Sequence, residues 1–430
     1  MDLRILYARF IIDCTQDRSC EALNVIEGMI GKVPLGDAYP VRLMGIINLS
    51  RESFYKGSVA GPDEVLSQAL AMQEQGADVI DLGSVSTAPG SPPVSESEEK
   101  ARLIPALKEI LENLSLEISI DTQRSSIAAE ALTLGATCIN DVSGLRDPAM
   151  ARTAAEHDSS LIIMASDKAA GDLLSLDRII PLLGEKVRQA VEAGVSPHKI
   201  TVDPGVGKWV PEKTTEYDLA ILGGYSRLRY LGRPILAALS RKTFIGATLG
   251  LANPFDRLSG SLAATAIAVF LGAHIVRTHD VSMSLQTIRM AEAIRGRPAH
   301  CESGELSAEV LGYLGQGEDV ADTLRRTGVD ELGFGILCKK SSFRVVAVRG
   351  LSSMESLVIK QEMLARGGDA AIPKLALRCD QRPQEVLIIG TVSQITSLVK
   401  NLKGQPFRLA EVAGCIDDAL RQIDSPERYR

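Results

Sequence analysis

One rhythm runs through the chain from about Arg42 to Asp280: a short apolar run ends on a polar residue, a loop follows, and an amphipathic stretch leads into the next run. The runs are Arg42–Asn48, Asp78–Leu82, Glu117–Asp121, Thr137–Asp141, Ser160–Ala165, Lys199–Asp203, Pro234–Ser240 and Ala273–His279. Between them, stretches such as Pro62–Gln75, Glu96–Leu114, Ser125–Leu134 and Leu176–Ala193 read as helices. Strands that alternate with helices imply a parallel sheet. Eight units in roughly 240 residues match a (β/α)8 barrel better than an open doubly wound sheet.

Outside that span the pattern changes. Residues 1–41 read as a strand or hairpin closing the bottom of the barrel, and the barrel itself is expected over 42–299. Residues 300–341 read as a connector with two short helical patterns, Ser307–Leu314 and Gly317–Thr327. Over 342–430 a smaller α+β domain is expected. Its strands fall at Phe343–Val348, Ala371–Leu377 and Glu385–Ile389, and its helices at Ser352–Arg366, Val392–Leu402 and Leu409–Gln422. The fold class is therefore α/β, a (β/α)8 TIM barrel with a small C-terminal α+β domain.

Composition narrows the class. With 430 residues, 45% hydrophobic and 23% charged, the chain has the material of a soluble enzyme with one large domain and one smaller. A net charge of −7 gives no reason to expect a nucleic-acid surface. No apolar run approaches the ~20 residues that span a bilayer. Seven dispersed cysteines without a CxxC pair read as reduced thiols, and Met1–Ile12 lacks a signal-peptide layout. The expected location is the cytoplasm.

Barrel enzymes gather their chemistry at the carboxyl ends of the strands. Here those ends carry Asn48, Asp81, Asp121, Asn140 with Asp141, Met164 with Ala165, Asp203, Ser240 with Lys242, and Arg277 with His279. Any one of the Asp or Asn residues serves equally as a cap for the next helix. Their convergence on one mouth is the signal. Asp203 and Asn140 offer the paired donors and acceptors that suit a flat heterocycle bearing an amide and an exocyclic amine, and Lys242 can donate to a ring oxygen or nitrogen. Asp121 can offset positive charge developing on such a ring. Arg277 and His279 stand two apart, on one side of a strand, and suit a diphosphate. Asn48 is an oxygen ligand fit for a Mg2+ bridging it. No protein nucleophile is needed; positioning and leaving-group stabilisation would carry the rate. The bland readings are a basic loop at Ser240–Lys242, turns at the glycines, and packing for Trp209.

The segments Met44–Phe54, Gly76–Gly83 with Ser86–Gly90, Ile120–Thr122, Ile139–Val142, Asp203–Gly205, Ser240–Lys242 and Arg277–Val281 resemble the motifs of dihydropteroate synthases, in family order and each at an expected strand end. The resemblance covers about residues 40–290. It implies that Asp121, Asn140, Asp203 and Lys242 hold the pterin, with Asp121, Lys242 and Asp203 as the catalytic set. It also implies that Asn48, Arg277 and His279 hold the diphosphate and Mg2+, and that Thr87 and Thr243 lie near the arylamine. The implied reaction displaces diphosphate from 6-hydroxymethyl-7,8-dihydropterin diphosphate by p-aminobenzoate or a related arylamine, by a dissociative route, in a homodimeric enzyme. The sequence departs from the family pattern at Ser50-Arg51-Glu52, at Ala88 where an arginine is usual, and at Met164-Ala165-Ser166, which lacks a histidine. These changes gather on the arylamine side. The loops have the flavour of divergent archaeal relatives that build methanopterin, whose acceptor is a ribosylated aminobenzene phosphate; Arg51 or Lys56 would then meet the phosphate. The segment Ile359–Ala371 and Gln405–Phe407 also resemble an extension found ahead of the barrel in some bacterial synthases, placed here behind it.

Two rival functions use the same mouth. A pterin-dependent corrinoid methyltransferase domain would keep the carboxylates and the amide but has no diphosphate to bind, so Arg277, His279 and the Ser-Arg-Lys loop argue against it. A non-catalytic pterin-binding protein would bind without releasing diphosphate.

Overall fold

The computed structural model describes residues 26–50, 64–85, 92–296, 300–303, 306–309, 324, 331–374, 376–378 and 382–422. Their contacts fall into two compact units, one within Asn24–Cys301 and one within Glu302–Arg430.

The larger unit begins with a hairpin. Strands β1 (Glu27–Ile30) and β2 (Val33–Gly36) pair antiparallel. Gly31 makes the tight turn with a φ of 55°, a left-handed conformation open to glycine at no steric cost. Eight parallel strands follow: β3 (Arg42–Asn48), β4 (Val79–Gly83), β5 (Glu117–Asp121), β6 (Cys138–Asp141), β7 (Ser160–Met164), β8 (Ile200–Asp203), β9 (Leu236–Ala237) and β10 (Ile275–Thr278). They lie in the order β8-β7-β6-β5-β4-β3-β10-β9. The ring closes between β9 and β8 by one isolated parallel bridge, Val202 to Ile235, where the Val202 N–H donates to the Pro234 carbonyl at 2.9 Å. This is the (β/α)8 barrel that the alternation predicts.

Helices fill the crossovers, among them Val65–Glu74, Glu96–Asn113, Ser125–Leu134, Leu176–Glu192, Leu258–Phe270 and Val281–Arg295. Ser95 and Glu98 close a capping box at the start of Glu96–Asn113, so two otherwise unpaired backbone N–H groups are satisfied. The helices bury their apolar stripes against outward strand residues such as Leu43, Ile47, Ile80 and Leu82. Inward residues Met44, Val79, Cys138, Ile162, Leu236 and Ile275 form a separate cluster with Ile30 and Leu35 of the hairpin. Ser160 opens β7; its Oγ accepts from the Gly31 N–H and donates to the Met29 carbonyl, both at 3.1 Å. The hairpin therefore lies at the amino ends of the strands. Ile30 and Leu35 are wholly buried there, each adding about 1.5–3 kcal/mol of apolar burial.

Where the chain passes from the larger unit to the smaller, β11 (His300–Ser303) and β12 (Leu306–Glu309) form a two-stranded sheet. The expected helix Ser307–Leu314 is thus overturned over its described part. Leu306 and Ala308 alternate with Ser307 and Glu309, the period of a strand. A helix at Glu331–Ser341, which the pattern does not suggest, precedes β13 (Phe343–Leu351). Strands β14 (Asp369–Ala371) and β15 (Gln384–Thr391) complete an antiparallel sheet in the order β13-β15-β14. Helices Ser353–Leu364, Val392–Leu402 and Leu409–Gln422 supply the other apolar faces of its core, with Ile359, Ile395, Leu398 and Ala413. The expected strand Ala371–Leu377 ends early. Pro373 has no N–H for a ladder, and Ala376–Arg378 turns instead as a 3-10 helix.

Candidate active site

Three neighbouring strands bring their ends level. Asn48 pairs with Gly83 across β3 and β4, and Gly83 pairs with Asp121 across β4 and β5. A Cβ on Gly83 would lie 3.3 Å from the Asp121 Cβ, a tight contact, and 3.8 Å from Asn48 Oδ1, so both side chains border this glycine.

Arg277, from the end of β10, lies across this row. Its Nε donates to Asp81 Oδ2 at 2.6 Å and its Nη2 to Asp121 Oδ2 at 2.8 Å. Asp81 is wholly buried in β4 and also accepts from Asn140 Nδ2 at 3.1 Å, while its Oδ1 has no hydrogen-bond partner among the described residues. One carboxylate thus ties the Asn140 amide to the Arg277 guanidinium. Burial pushes the Asp121 carboxyl up to about 7, against the opposing pull of Arg277; the Asp81 charge pushes the same way as burial.

The opposite side of the mouth is built from β8 and β9. Asp203 is buried and its Oδ1 accepts from the Gly205 N–H at 2.8 Å. Burial raises this carboxyl too, with Lys242 pulling it down. Lys242 donates from Nζ to the Val206 carbonyl at 2.6 Å and sits 4.7 Å from the centroid of the Trp209 ring. Burial lowers the Lys242 pKa to about 8, against the opposing pull of Asp203. Gly207, with φ of 127°, leaves the room this lysine occupies: a Cβ there would stand 2.9 Å from Lys242 Cδ.

His279 meets Ser240, with Nδ1 and Oγ 2.9 Å apart. Burial, then Arg277, Arg241 and Lys242, hold its pKa near 3, so the ring is neutral at neutral pH. A neutral imidazole and a hydroxyl can donate hydrogen bonds to an anion without requiring a charge partner.

The structure therefore brings Asn48, Asp121, Asn140, Asp203, Lys242, Arg277 and His279 to one mouth. Thr243 is exposed at the start of helix Thr243–Leu249. Thr87 lies outside the described residues, as do Arg51, Glu52, Lys56 and Ala88. Met164 and Ala165 are buried and bring no polar side chain from β7. Asp141 turns away from substrate duty: its oxygens accept from the Ser143 and Leu145 N–H groups at 2.8 and 2.7 Å.

Sequence reasoning left several groups without a role. Asp81 carried a signal, a carboxylate inside the apolar run Val79–Gly83 that had to have a buried partner. Lys213 carried none. It is wholly buried, donates to the Gly205 carbonyl at 2.6 Å and the Gly171 carbonyl at 3.3 Å, and faces Asp218 at 3.7 Å. Asp218 accepts from the Gly207 N–H at 2.8 Å, so the pair pins the loop after β8 from beneath.

A family model described as "Pterin binding enzyme" matches residues 44–279. The chain is 40% identical over 256 residues to the dihydropteroate synthase of Bacillus subtilis, covering 59% of this chain and 88% of that one. A solved dihydropteroate synthase from Clostridium difficile, determined in the presence of pteroic acid, is 38% identical with a TM-score of 0.55, over 62% of this chain and 98% of that one. The enzyme from Thermus thermophilus, solved in complex with 6HMPPP, is 34% identical with a TM-score of 0.54, over 62% and 99%. The match falls on the barrel and its mouth, and with it this chain belongs to the dihydropteroate synthase family of pterin-binding enzymes.

Proposed function

We propose that this chain condenses 6-hydroxymethyl-7,8-dihydropterin diphosphate with p-aminobenzoate or a related arylamine, releasing diphosphate, as a transferase of folate biosynthesis. The observation that carries the reading is the division of one mouth into two chemistries. Asp121, Asn140, Asp203 and Lys242 face one another as acceptors and donors for a flat heterocycle, and Arg277, His279 and Ser240 stand beside them as donors for an anion.

Each residue then has a step. Asp203 accepts N–H bonds from the pterin, Asn140 pairs with adjacent ring atoms, and Lys242 donates to the ring. As the bond to diphosphate lengthens, positive charge grows on the pterin methylene and ring, and the Asp121 carboxylate offsets it. Negative charge grows on the leaving group, where Arg277 and the neutral His279 donate. The amine attacks the methylene carbon and loses its proton afterwards. No side chain forms a bond to the substrate.

The donor set fits magnesium brought in with the substrate. Asn48 and Asp121 flank Gly83 at the end of the row, and hard oxygen ligands such as the Asn48 amide oxygen hold Mg2+ together with phosphate oxygens. Among the described residues no group of three or more His, Cys, Asp or Glu could hold a metal by itself. Asn48 would ligate it, and the ion would neutralise charge on the departing diphosphate.

The acceptor amine is the finer question. The sequence changes around Arg51 and Ala88 favour an acceptor larger than p-aminobenzoate, as in methanopterin synthesis. A homodimer is supported by an apolar strip on two outer helices, where Ile267, Phe270, Met283, Met290 and Ile294 are exposed. A cytoplasmic site fits the free thiols Cys138 and Cys415. No helix among the described residues is long and apolar enough to cross a membrane.

The test is diphosphate release from the pterin diphosphate with Mg2+, run in parallel with p-aminobenzoate and with the ribosylated aminobenzene phosphate. Release that depends on either amine supports the synthase, and the preferred amine names the acceptor. Tight pterin binding without release under either condition would sink it.

A further inference from the structure

Strand β9 is two residues long, and the loop that follows sends consecutive side chains to different neighbours. Ser240 reaches toward β10, to His279 at 2.9 Å. Lys242 reaches the other way, to the Val206 carbonyl in the loop after β8 at 2.6 Å. In a regular strand, residues two apart would share one face. Arg241 breaks that rule: it is buried and its φ is 56°, in the left-handed region where a residue with a Cβ is strained.

The arginine is held there from every side. Nε and Nη2 form a two-pronged pair with Asp280, at 2.9 and 2.7 Å, and Asp280 directly follows His279. Nη1 donates to the carbonyls of Pro254 and Phe255 at 3.0 and 2.7 Å. The Arg241 N–H donates to Ser261 Oγ at 2.8 Å, and its carbonyl accepts from Arg257 Nη1 at 3.1 Å. A strained conformation persists only where its surroundings over-determine it, and here they do.

We propose that Arg241 is the positioning residue of the mouth: through its fork on Asp280 it fixes the left-handed turn that aims Ser240 at the diphosphate side and Lys242 at the pterin side. The inference rests on the synthase reading and deepens it, since one ion pair outside the substrate groups sets the relation between the two halves of the site. A lysine at 241 keeps the charge but cannot form the fork.

A direct reporter is already in place. Trp209 is the single tryptophan of the chain, and the Lys242 ammonium lies 4.7 Å from its ring centroid. Emission of Trp209 is measured in the whole protein for the wild type, for Lys242→Met as the spectrum without the ammonium, and for Arg241→Lys and Asp280→Asn. Both positioning variants are expected to move toward the Lys242→Met spectrum and to lose kcat/KM on the order of 10–100-fold, as groups that orient a substrate-binding side chain do. Arg241→Gly relieves the strain and drops the fork. It is expected to stay impaired, which separates the side chain's role from the backbone's. Should one variant fail to fold by its thermal midpoint, the others carry the test. Wild-type emission and turnover in folded Arg241→Lys and Asp280→Asn would overturn the proposal. If the emission moves but the wild type releases no diphosphate, the synthase reading fails and the positioning role stands.

Discussion

The two ends of the barrel hold the same kinds of side chain and put them to opposite use. At the amino end, Asp37 accepts from Nη1 and Nη2 of Arg229, at 2.7 and 2.8 Å, from the Ile26 N–H at 2.9 Å, and from His274 Nε2 at 3.2 Å. His274 Nδ1 accepts the Ile235 N–H at 3.1 Å, so both ring nitrogens are engaged. At the carboxyl end, Arg277 lies between two carboxylates, Asp81 keeps one oxygen without a partner among the described residues, and a neutral His279 touches a hydroxyl. The electrostatic outcomes differ accordingly. Despite burial, partners hold Asp37 well below the ordinary carboxylate range, whereas burial raises Asp121 and Asp203 above it. The fully engaged Asp37 carboxylate fastens the hairpin to the barrel. The carboxylates at the other end are raised by burial, and such perturbed groups mark functional sites.

The sharpest break of this contrast is Arg277→Lys. One ammonium cannot serve two carboxylates and a diphosphate with the arginine's geometry, so kcat/KM should fall on the order of 1000-fold with little change in melting temperature. Asp37→Ala should do the reverse. It strands Arg229 in a mostly buried position and should cost about 3 kcal/mol in urea unfolding while leaving turnover per folded molecule intact. A large loss of kcat/KM there would show that the two ends are not separate.

Asp81→Asn probes the link inside the upper cluster. It should lower kcat/KM roughly 10–100-fold, as loss of a group that orients its neighbours does. It should also move the acid limb of the pH profile, set by Asp121 near 7, to lower pH, because one raising charge is gone. The alkaline limb, set by Lys242 near 8, should stay. An acid limb that does not move would separate Asp81 from Asp121.

The smallest effect belongs to His274. Burial holds its folded pKa below the ordinary histidine value of 6.5. Below that pH the unfolded chain takes up a proton that the folded chain refuses, so stability is full above 6.5 and is lost as pH falls. His274→Gln should flatten the stability profile on the acid side of pH 6.5. An unchanged slope would assign the acid sensitivity to other groups.

Most of the barrel was legible because each strand buries both faces and ends abruptly in a polar residue, as in Glu117–Asp121, which the structure reproduces residue for residue. Pro234–Ser240 promised a long strand and gave Leu236–Ala237, since the proline opens the run and the turn at Arg241 closes it. The helix Glu331–Ser341 escaped notice because Gly333 and Gly335 weaken its local preference. In the mouth, the side chains proposed to meet substrate stand at strand ends, so Asp121, Asn140 and Arg277 could be picked out. Lys213 and Arg241 act from loops and Asp218 from the helix Thr215–Gly223, all through backbone groups, and nothing in their spacing foretold which backbone groups they would meet.

The seam between β8 and β9 has a dynamic consequence. Every other join in the ring is a ladder, but this one is a single bridge carrying the Val202 amide. Asp203 stands on one bank of it and the Lys242 loop on the other. Breathing of the barrel would concentrate there, and a pterin spanning the two banks would act as a suture. The Val202 amide should then exchange with solvent faster than its ring neighbours in the free protein and slow most when the pterin binds.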